Sequence, residues 1–78
     1  MQLKLTWRIL QQNRDINILV SDEQELVETI RVLADKGLIS KDKLENMKYV
    51  KALRTNAYIN LLLTYKEANI YSGDILLV

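Results

Sequence analysis

The last fifteen residues, Thr64 to Val78, read TYKEANIYSGDILLV, and this stretch decides the fold. Thr64 followed by Glu67 fits a capping box, in which each side chain accepts a hydrogen bond from the other residue's backbone N–H, so a single helical turn should begin here. Asn69 or Gly73 can adopt the positive φ angle that lets the chain leave this turn. The pattern therefore predicts a capped turn, a tight bend and a final short apolar strand.

The N-terminal residues alternate between apolar and polar side chains, which predicts two strands. The apolar set of the first run comprises Leu3, Leu5, Trp7 and Ile9. QQNRD, residues 11–15, supplies turn residues, and the alternation then resumes. The apolar set of the second run comprises Ile16, Ile18 and Val20. Two alternating runs across a short polar turn predict an antiparallel hairpin, and the position of Trp7 in the alternation predicts that it faces the core.

A helix is predicted after the hairpin. Ser21 and Gln24 fit a capping box, and we interpret the acidic residues near them as partners of the helix dipole rather than as a metal or acid–base site. The apolar stripe comprises Leu26, Val27, Ile30, Leu33 and Ala34. Gly37 is placed to form the left-handed C-terminal cap. We expect one amphipathic helix of about 15 residues, whose stripe covers an apolar face of the sheet.

Residues 41–54 have two interpretations. Ser40 is a possible N-cap, and apolar residues recur at every third position, so the segment could be a second helix. Alternatively, a short turn or helix ends at Met47 and two strands follow, KYVKALRT and AYINL, with a bend at Thr55–Asn56. The β-branched and aromatic residues in these two runs favour the strands.

Composition excludes several classes of site. The chain has 78 residues, which predicts a single domain covering residues 1–78. It contains no Cys and no His, so we expect no disulfide, no Cys/His metal site, no cofactor and no catalytic residues. The net charge of +1 makes nucleic acid an unlikely partner. No apolar run reaches the roughly 18 residues that a membrane span needs, and a cytoplasmic protein is expected.

The predicted order, β-β-α-(β-β)-β, is that of an α+β fold, the ubiquitin-like β-grasp, in which a mixed sheet packs on one amphipathic helix. In this order the final strand lies parallel to the first in the middle of the sheet. TYKEANIYSGDILLV resembles the close of the YukD/EsaB-type ubiquitin-like proteins associated with bacterial type VII (WXG-motif) secretion. MQLKL and ILVSDEQELVETI also fit the general β-grasp pattern.

The resemblance implies an accessory or adaptor protein that acts by protein–protein binding. Conjugation needs an accessible C-terminal glycine, whereas the bulky residues Leu76–Val78 stand at this position, so a non-conjugated protein is expected. The implied partners are protein components or regulators of a secretion apparatus, with membrane contact only through a partner; no small-molecule substrate is expected, and a homodimer is possible. The alternatives are a ubiquitin-like interaction module of another pathway and a small nucleic-acid-binding regulator.

In many ubiquitin-like proteins the outer face of the sheet, opposite the helix, is the interaction surface, so the resemblance implies a binding surface there. The alternation in the first and last strands directs two basic and two apolar residues there, and Leu19 points the same way from the second strand. The predicted protein-binding residues are Lys4, Arg8, Leu19, Ile75 and Leu77. The competing interpretation is that these are ordinary exposed residues, and a register error of one residue would reverse the two faces.

Overall fold

Residues 1–78 are all described by the computed structural model, which contains five strands and two helices. The strands are β1 (Gln2–Ile9), β2 (Arg14–Ser21), β3 (Tyr49–Ala52), β4 (Ala57–Asn60) and β5 (Ile75–Leu77). The helices are α1 (Leu26–Asp35) and α2 (Lys41–Asn46), and a 3₁₀ turn, Leu10–Gln12, joins β1 to β2.

The strands form one mixed sheet in the order β2-β1-β5-β3-β4. β5 runs parallel to β1, and every other neighbouring pair is antiparallel. The predicted position of the final strand, parallel to the first and in the middle of the sheet, is therefore confirmed. This topology, with α1 crossing one face, is the ubiquitin-like β-grasp fold.

The core lies between the sheet and α1. It is a cluster of 17 buried residues, to which β1 contributes its alternate side chains, and Trp7 has no exposed surface. Leu26 and Ile30 of α1 are also fully buried, and burial of each such side chain contributes about 1.5–3 kcal/mol to the hydrophobic driving force. The predicted faces of β1 and of the helix stripe are both confirmed, although Val27 is only partly buried.

The predicted start of the first helix is wrong. Ser21 is the last residue of β2, opposite Gln2, and its hydroxyl accepts a hydrogen bond from the Glu23 N–H at 3.2 Å. The helix begins five residues later and has 10 residues rather than about 15. Its first N–H groups, those of Leu26 and Val27, bond to the carbonyl oxygens of residues 63 and 61. The segment that follows β4 therefore caps α1, because its carbonyl groups replace the side-chain cap expected from Ser21.

The predicted end of the helix is confirmed. Gly37 has φ +75°, the left-handed conformation that glycine adopts without a steric penalty. The N–H of Gly37 bonds to the carbonyl of Ala34, and the N–H of Leu38 bonds to that of Leu33 at 2.9 Å. These two bonds satisfy carbonyl groups that would otherwise have no partner at the helix end.

The two-strand interpretation of residues 41–54 is correct. The Ser40 hydroxyl caps α2 by accepting from the Lys43 N–H at 3.1 Å, and α2 ends before Met47. β3 then pairs with β4 across a turn in which Asn56 has φ +56°. β3 also pairs with the central strand β5, so tertiary pairing selects the strand for a segment whose local pattern also allows a helix.

The capped turn before β5 forms as predicted. The Thr64 N–H bonds to Glu67 Oε1 at 3.0 Å, and the Glu67 N–H bonds to Thr64 Oγ1 at 3.1 Å. Asn69 and Gly73 both have positive φ angles. Tyr65, inside the turn, is fully buried, which raises the pKa of its phenol. The turn is therefore anchored in the core immediately before the chain enters the central strand.

Candidate protein-binding surface

The outer face of the sheet carries four of the five predicted binding residues on the neighbouring strands β1 and β5. In β1 the odd-numbered residues are buried, so Lys4 and Arg8 project from the opposite face. In β5 the half-buried residues Ile75 and Leu77 flank Leu76, which has no exposed surface. The structure thus directs these four side chains away from α1, as their alternation predicts.

The strand register places the five predicted residues at three successive levels along β1. Leu19 lies opposite Lys4, whereas Ile75 is level with Thr6 and Leu77 is level with Arg8. Leu19 is 58% exposed, and β1 lies between it and β5. The structure therefore does not bring Leu19 together with the apolar residues of β5.

Arg8 is engaged in an ion pair on this surface. Its Nε and Nη2 atoms donate to the two carboxylate oxygens of Asp15, its cross-strand neighbour, at 2.9 and 3.3 Å. The hydrogen bond from Arg8 lowers the pKa of the Asp15 carboxyl. Because Asp15 offsets the charge of Arg8, Lys4 is the unpaired cation of this part of the surface.

An apolar groove lies at one end of the outer face, and we call it the tyrosine groove. It has a volume of about 570 Å³. Its exposed or half-exposed apolar side chains are Leu10, Met47, Tyr49, Tyr58 and Leu77, and its charged residues are Asp42, Lys43 and Lys51. Leu77 is the one predicted binding residue in the groove.

The tyrosine side of the groove follows from the register of β3 and β4. Val50 and Ala52 are buried, so Tyr49 and Lys51 face outward. Tyr58 lies opposite Lys51, whose ammonium group is 5.7 Å from the centre of the Tyr58 ring, within range of a cation–π contact. Tyr49 and Tyr58 lie diagonally across the β3–β4 pair and are 56% and 73% exposed.

The opposite side of the groove is built by the turn after β1. The Leu10 N–H bonds to the carbonyl of Val78 at 2.8 Å, which fixes Leu10 beside the end of β5. Leu10 is 58% exposed. Sequence reasoning missed Leu10 because it ends the alternation of β1, and it missed the two tyrosines because their direction depends on whether β3 forms.

A salt bridge positions the strand that carries Ile75 and Leu77. Arg54 donates to both oxygens of Asp74 at 2.6 and 3.2 Å, and the Tyr71 N–H donates to the same carboxylate at 2.8 Å. Burial alone would raise the pKa of Asp74, but these hydrogen bonds outweigh it and leave that pKa below the usual 3.8. The arginine also stacks over the ring of Tyr71 at 5.2 Å.

The groove presents apolar, aromatic and cationic side chains to a possible partner. No group of three or more His, Cys, Asp or Glu side chains is arranged to hold a metal ion. Neither helix is long and apolar enough to cross a membrane. The groove can contribute apolar and aromatic area together with donors from lysine, which are the contacts that protein partners use.

Comparison with known proteins identifies the fold. No protein-family model and no curated protein matches the chain. A protein designed on the basis of ubiquitin superposes with a TM-score of 0.74 at 18% identity, covering 97% of this chain and 84% of the designed one.

Two natural domains show the same architecture. The C-terminal ubiquitin-like domain of mouse tubulin-specific chaperone e has a TM-score of 0.74 at 15% identity, covering 100% of this chain and 84% of that domain. The ubiquitin-like domain of Plasmodium falciparum Dsk2 has a TM-score of 0.67 at 8% identity, covering 99% of this chain and 97% of the other. At these identities the similarity shows the ubiquitin-like fold.

Proposed function

We propose that this protein is a ubiquitin-like accessory or adaptor protein of type VII secretion that acts in the cytoplasm by binding other proteins. The ubiquitin-like fold supports the class of protein. The resemblance of Thr64–Val78 to the close of the YukD/EsaB-type proteins supports the pathway. We propose that residues 1–78 act as a single domain.

The tyrosine groove is the observation that carries the binding role. Large apolar side chains from separate segments converge there and remain open to solvent: Leu10, Tyr49 and Tyr58 are each more than half exposed. A clustered apolar surface of this kind is costly in water unless a partner covers it, and tyrosine is among the residues that contribute most at protein interfaces.

The charges around the groove favour a particular type of partner. Lys43 and Lys51 lie in its wall, and Asp42 is its one acidic residue. Lys4 adds a further unpaired cation on the same face. A segment with an apolar or aromatic anchor flanked by acidic residues would complement this arrangement, because the anchor would enter the groove and the carboxylates would meet the lysines.

The experiment is affinity capture from lysate of the source cell with four forms of the protein. The groove form carries Tyr49→Glu together with Tyr58→Glu, and Leu19→Glu tests the separate predicted position beside Lys4. The matched control is Leu62→Glu, since Leu62 is 68% exposed and lies outside the groove. Circular dichroism must first show that all four forms keep the same fold.

We expect the native protein and the Leu62→Glu control to capture secretion-apparatus proteins and the groove form to lose them. Equal capture by the groove form would reject the groove as the site. Loss on Leu19→Glu alone would move the site to the β2 side of the sheet. If the captured proteins belong to another pathway, the protein is a ubiquitin-like interaction module of that pathway, which the fold supports equally well.

A further inference from the structure

Strand β2 forms a long open edge of the sheet. It pairs only with β1, which lies on one side of it. The even-numbered residues of β1 bond to the segment that contains β5, the other neighbour of β1. The Thr6 N–H donates to the Asp74 carbonyl, and the Val78 N–H donates to the Arg8 carbonyl. The odd-numbered residues of β1 therefore bond to β2, and alternation directs the N–H and C=O groups of Asp15, Asn17 and Leu19 away from the sheet.

Beyond Arg14 and Asp15 at its first end, this edge has few of the features that block pairing between sheets. It has no proline, and its outward side chains are held flat against β1: Thr6 Oγ1 donates to Asn17 Oδ1 at 2.8 Å, and Arg8 holds Asp15. The opposite edge strand, β4, has only four residues, and the Asn60 side chain there bonds to the backbone of Leu62.

The edge also leaves part of the core incompletely covered. Ile16 and Ile18 of β2 face α1 and pack on the core, but both remain only partly buried. They stand on either side of Asn17, so the sequence Ile16-Asn17-Ile18 is symmetric about its centre. A strand with such symmetry is complementary to a second copy of itself running in the opposite direction.

We propose that two copies of this protein associate through β2, in an antiparallel pairing whose two-fold axis passes at Asn17. In this register Asn17 faces Asn17 of the second copy, and Asp15 faces Leu19 on either side. Each such pair exchanges two backbone hydrogen bonds, and Ile16 of each copy packs beside Ile18 of the other. The two sheets would join into one continuous sheet. This proposal is independent of the tyrosine groove and of the secretion role.

The neighbouring registers of the β2–β2 pairing are less favourable than the register centred on Asn17. Moving the axis to Asp15 would place two carboxylates opposite each other, which is destabilising. Moving it to Ile16 would require Asn13 to pair with Leu19, but Asn13 has φ +49° and is not extended. Moving it to Ile18 would require Ser21 to accept a hydrogen bond, but its carbonyl already accepts from the Gln24 N–H at 3.1 Å.

The expected dimer is weak and reversible. The overlap runs over residues 14–20, about 24 Å of strand at ~3.4 Å per residue. The pairing of two strand edges buries less surface than the roughly 1,200 Å² that stable interfaces bury. Association should therefore be seen only at high protein concentration. A covalent trap is therefore the most sensitive test.

Cysteine cross-linking can test both the pairing and its register, because the natural chain has no cysteine. Under mild oxidation, the Asn17→Cys variant should form a disulfide-linked dimer, since residues facing each other in a hydrogen-bonded antiparallel pair have Cα atoms about 5.5 Å apart. Leu19→Cys alone should not cross-link, but a mixture of Leu19→Cys with Asp15→Cys should give the mixed dimer. Asn60→Cys on the β4 edge is the matched control.

A second measurement avoids any dependence on oxidation. Sedimentation analysis at high concentration compares the native protein with two variants. Asn17→Lys should weaken association at least about fivefold, because it places like charges on the two-fold axis. Asn60→Lys should leave association unchanged. A monomer at every concentration, together with no cross-link at position 17, would overturn the proposal. A dimer that survives Asn17→Lys, or cross-links equally at position 60, would overturn it as well.

Discussion

The guanidinium of Arg54 holds both carboxylate oxygens of Asp74, at 2.6 and 3.2 Å, and so joins the turn after β3 to the residue that precedes β5. Asp74 is 5% exposed, and Arg54 also donates to the Asn69 carbonyl at 3.0 Å. The Gly-Asp pair in the C-terminal stretch therefore has two roles. Gly73 takes the positive φ angle, and Asp74 receives the arginine that fixes the entry to the central strand.

Replacing Asp74 with alanine should destabilise the protein by about 1–3 kcal/mol, because the Tyr71 N–H and the arginine lose a buried acceptor. The matched control is Asp15→Ala, which removes the solvent-exposed pair with Arg8 and should destabilise the protein much less than Asp74→Ala does. Urea denaturation of both variants measures the difference. Equal losses would show that the buried pair has no special contribution.

The stability of the protein should depend on pH through Asp74. Because the pKa of Asp74 is lower in the folded protein than the 3.8 expected when unfolded, the carboxylate stabilises the fold above about pH 4 and this contribution is lost as pH falls through the folded pKa. Urea denaturation from pH 7 to pH 3 should show the free energy of unfolding falling at the acid end. Asp74→Asn should flatten that fall, while the remaining dependence comes from Asp15 and Glu67, whose pKa values are also lowered.

Tyr65 should contribute to stability through its hydroxyl group as well as its ring. Its oxygen lies 2.7 Å from Thr29 Oγ1 in the core between α1 and the capped turn. Tyr65→Phe leaves the buried Thr29 hydroxyl without this partner and should cost about 1–3 kcal/mol. In a double-mutant cycle, Thr29→Val should recover part of that loss; an additive result would show that the two hydroxyl groups are not coupled.

The capped turn should be sensitive to its first residue. Thr64→Ala removes the oxygen that accepts the Glu67 N–H and should cost about 1 kcal/mol. Fluorescence of Trp7, the single tryptophan, reports unfolding because this side chain is fully buried in the core. Thr64→Ser keeps the acceptor, so its free energy of unfolding should stay within about 0.5 kcal/mol of that of the native protein. A large loss of stability in the serine variant would show that the methyl group of Thr64, and not its hydroxyl, is responsible for the effect.

Local patterns in the sequence determined most of the fold. The alternation around Trp7 decides which face of β1 is buried, and the Thr64–Glu67 box and Gly37 mark a turn and a helix end. These features depend on residues within a few positions of one another, so they can be read without knowing the rest of the structure. They predict the first hairpin, the helix and the final strand of the β-grasp order, whereas the local pattern of residues 41–54 allowed either a helix or two strands.

Tertiary structure alone decided where α1 begins, the full composition of the tyrosine groove and the partner of Asp74. The first N–H groups of α1 find their acceptors in residues 61 and 63, far along the chain. Leu10, Tyr49, Tyr58 and Leu77 come from four segments that meet only when the sheet assembles. No local pattern records such long-range contacts, because each depends on the register in which distant strands pair.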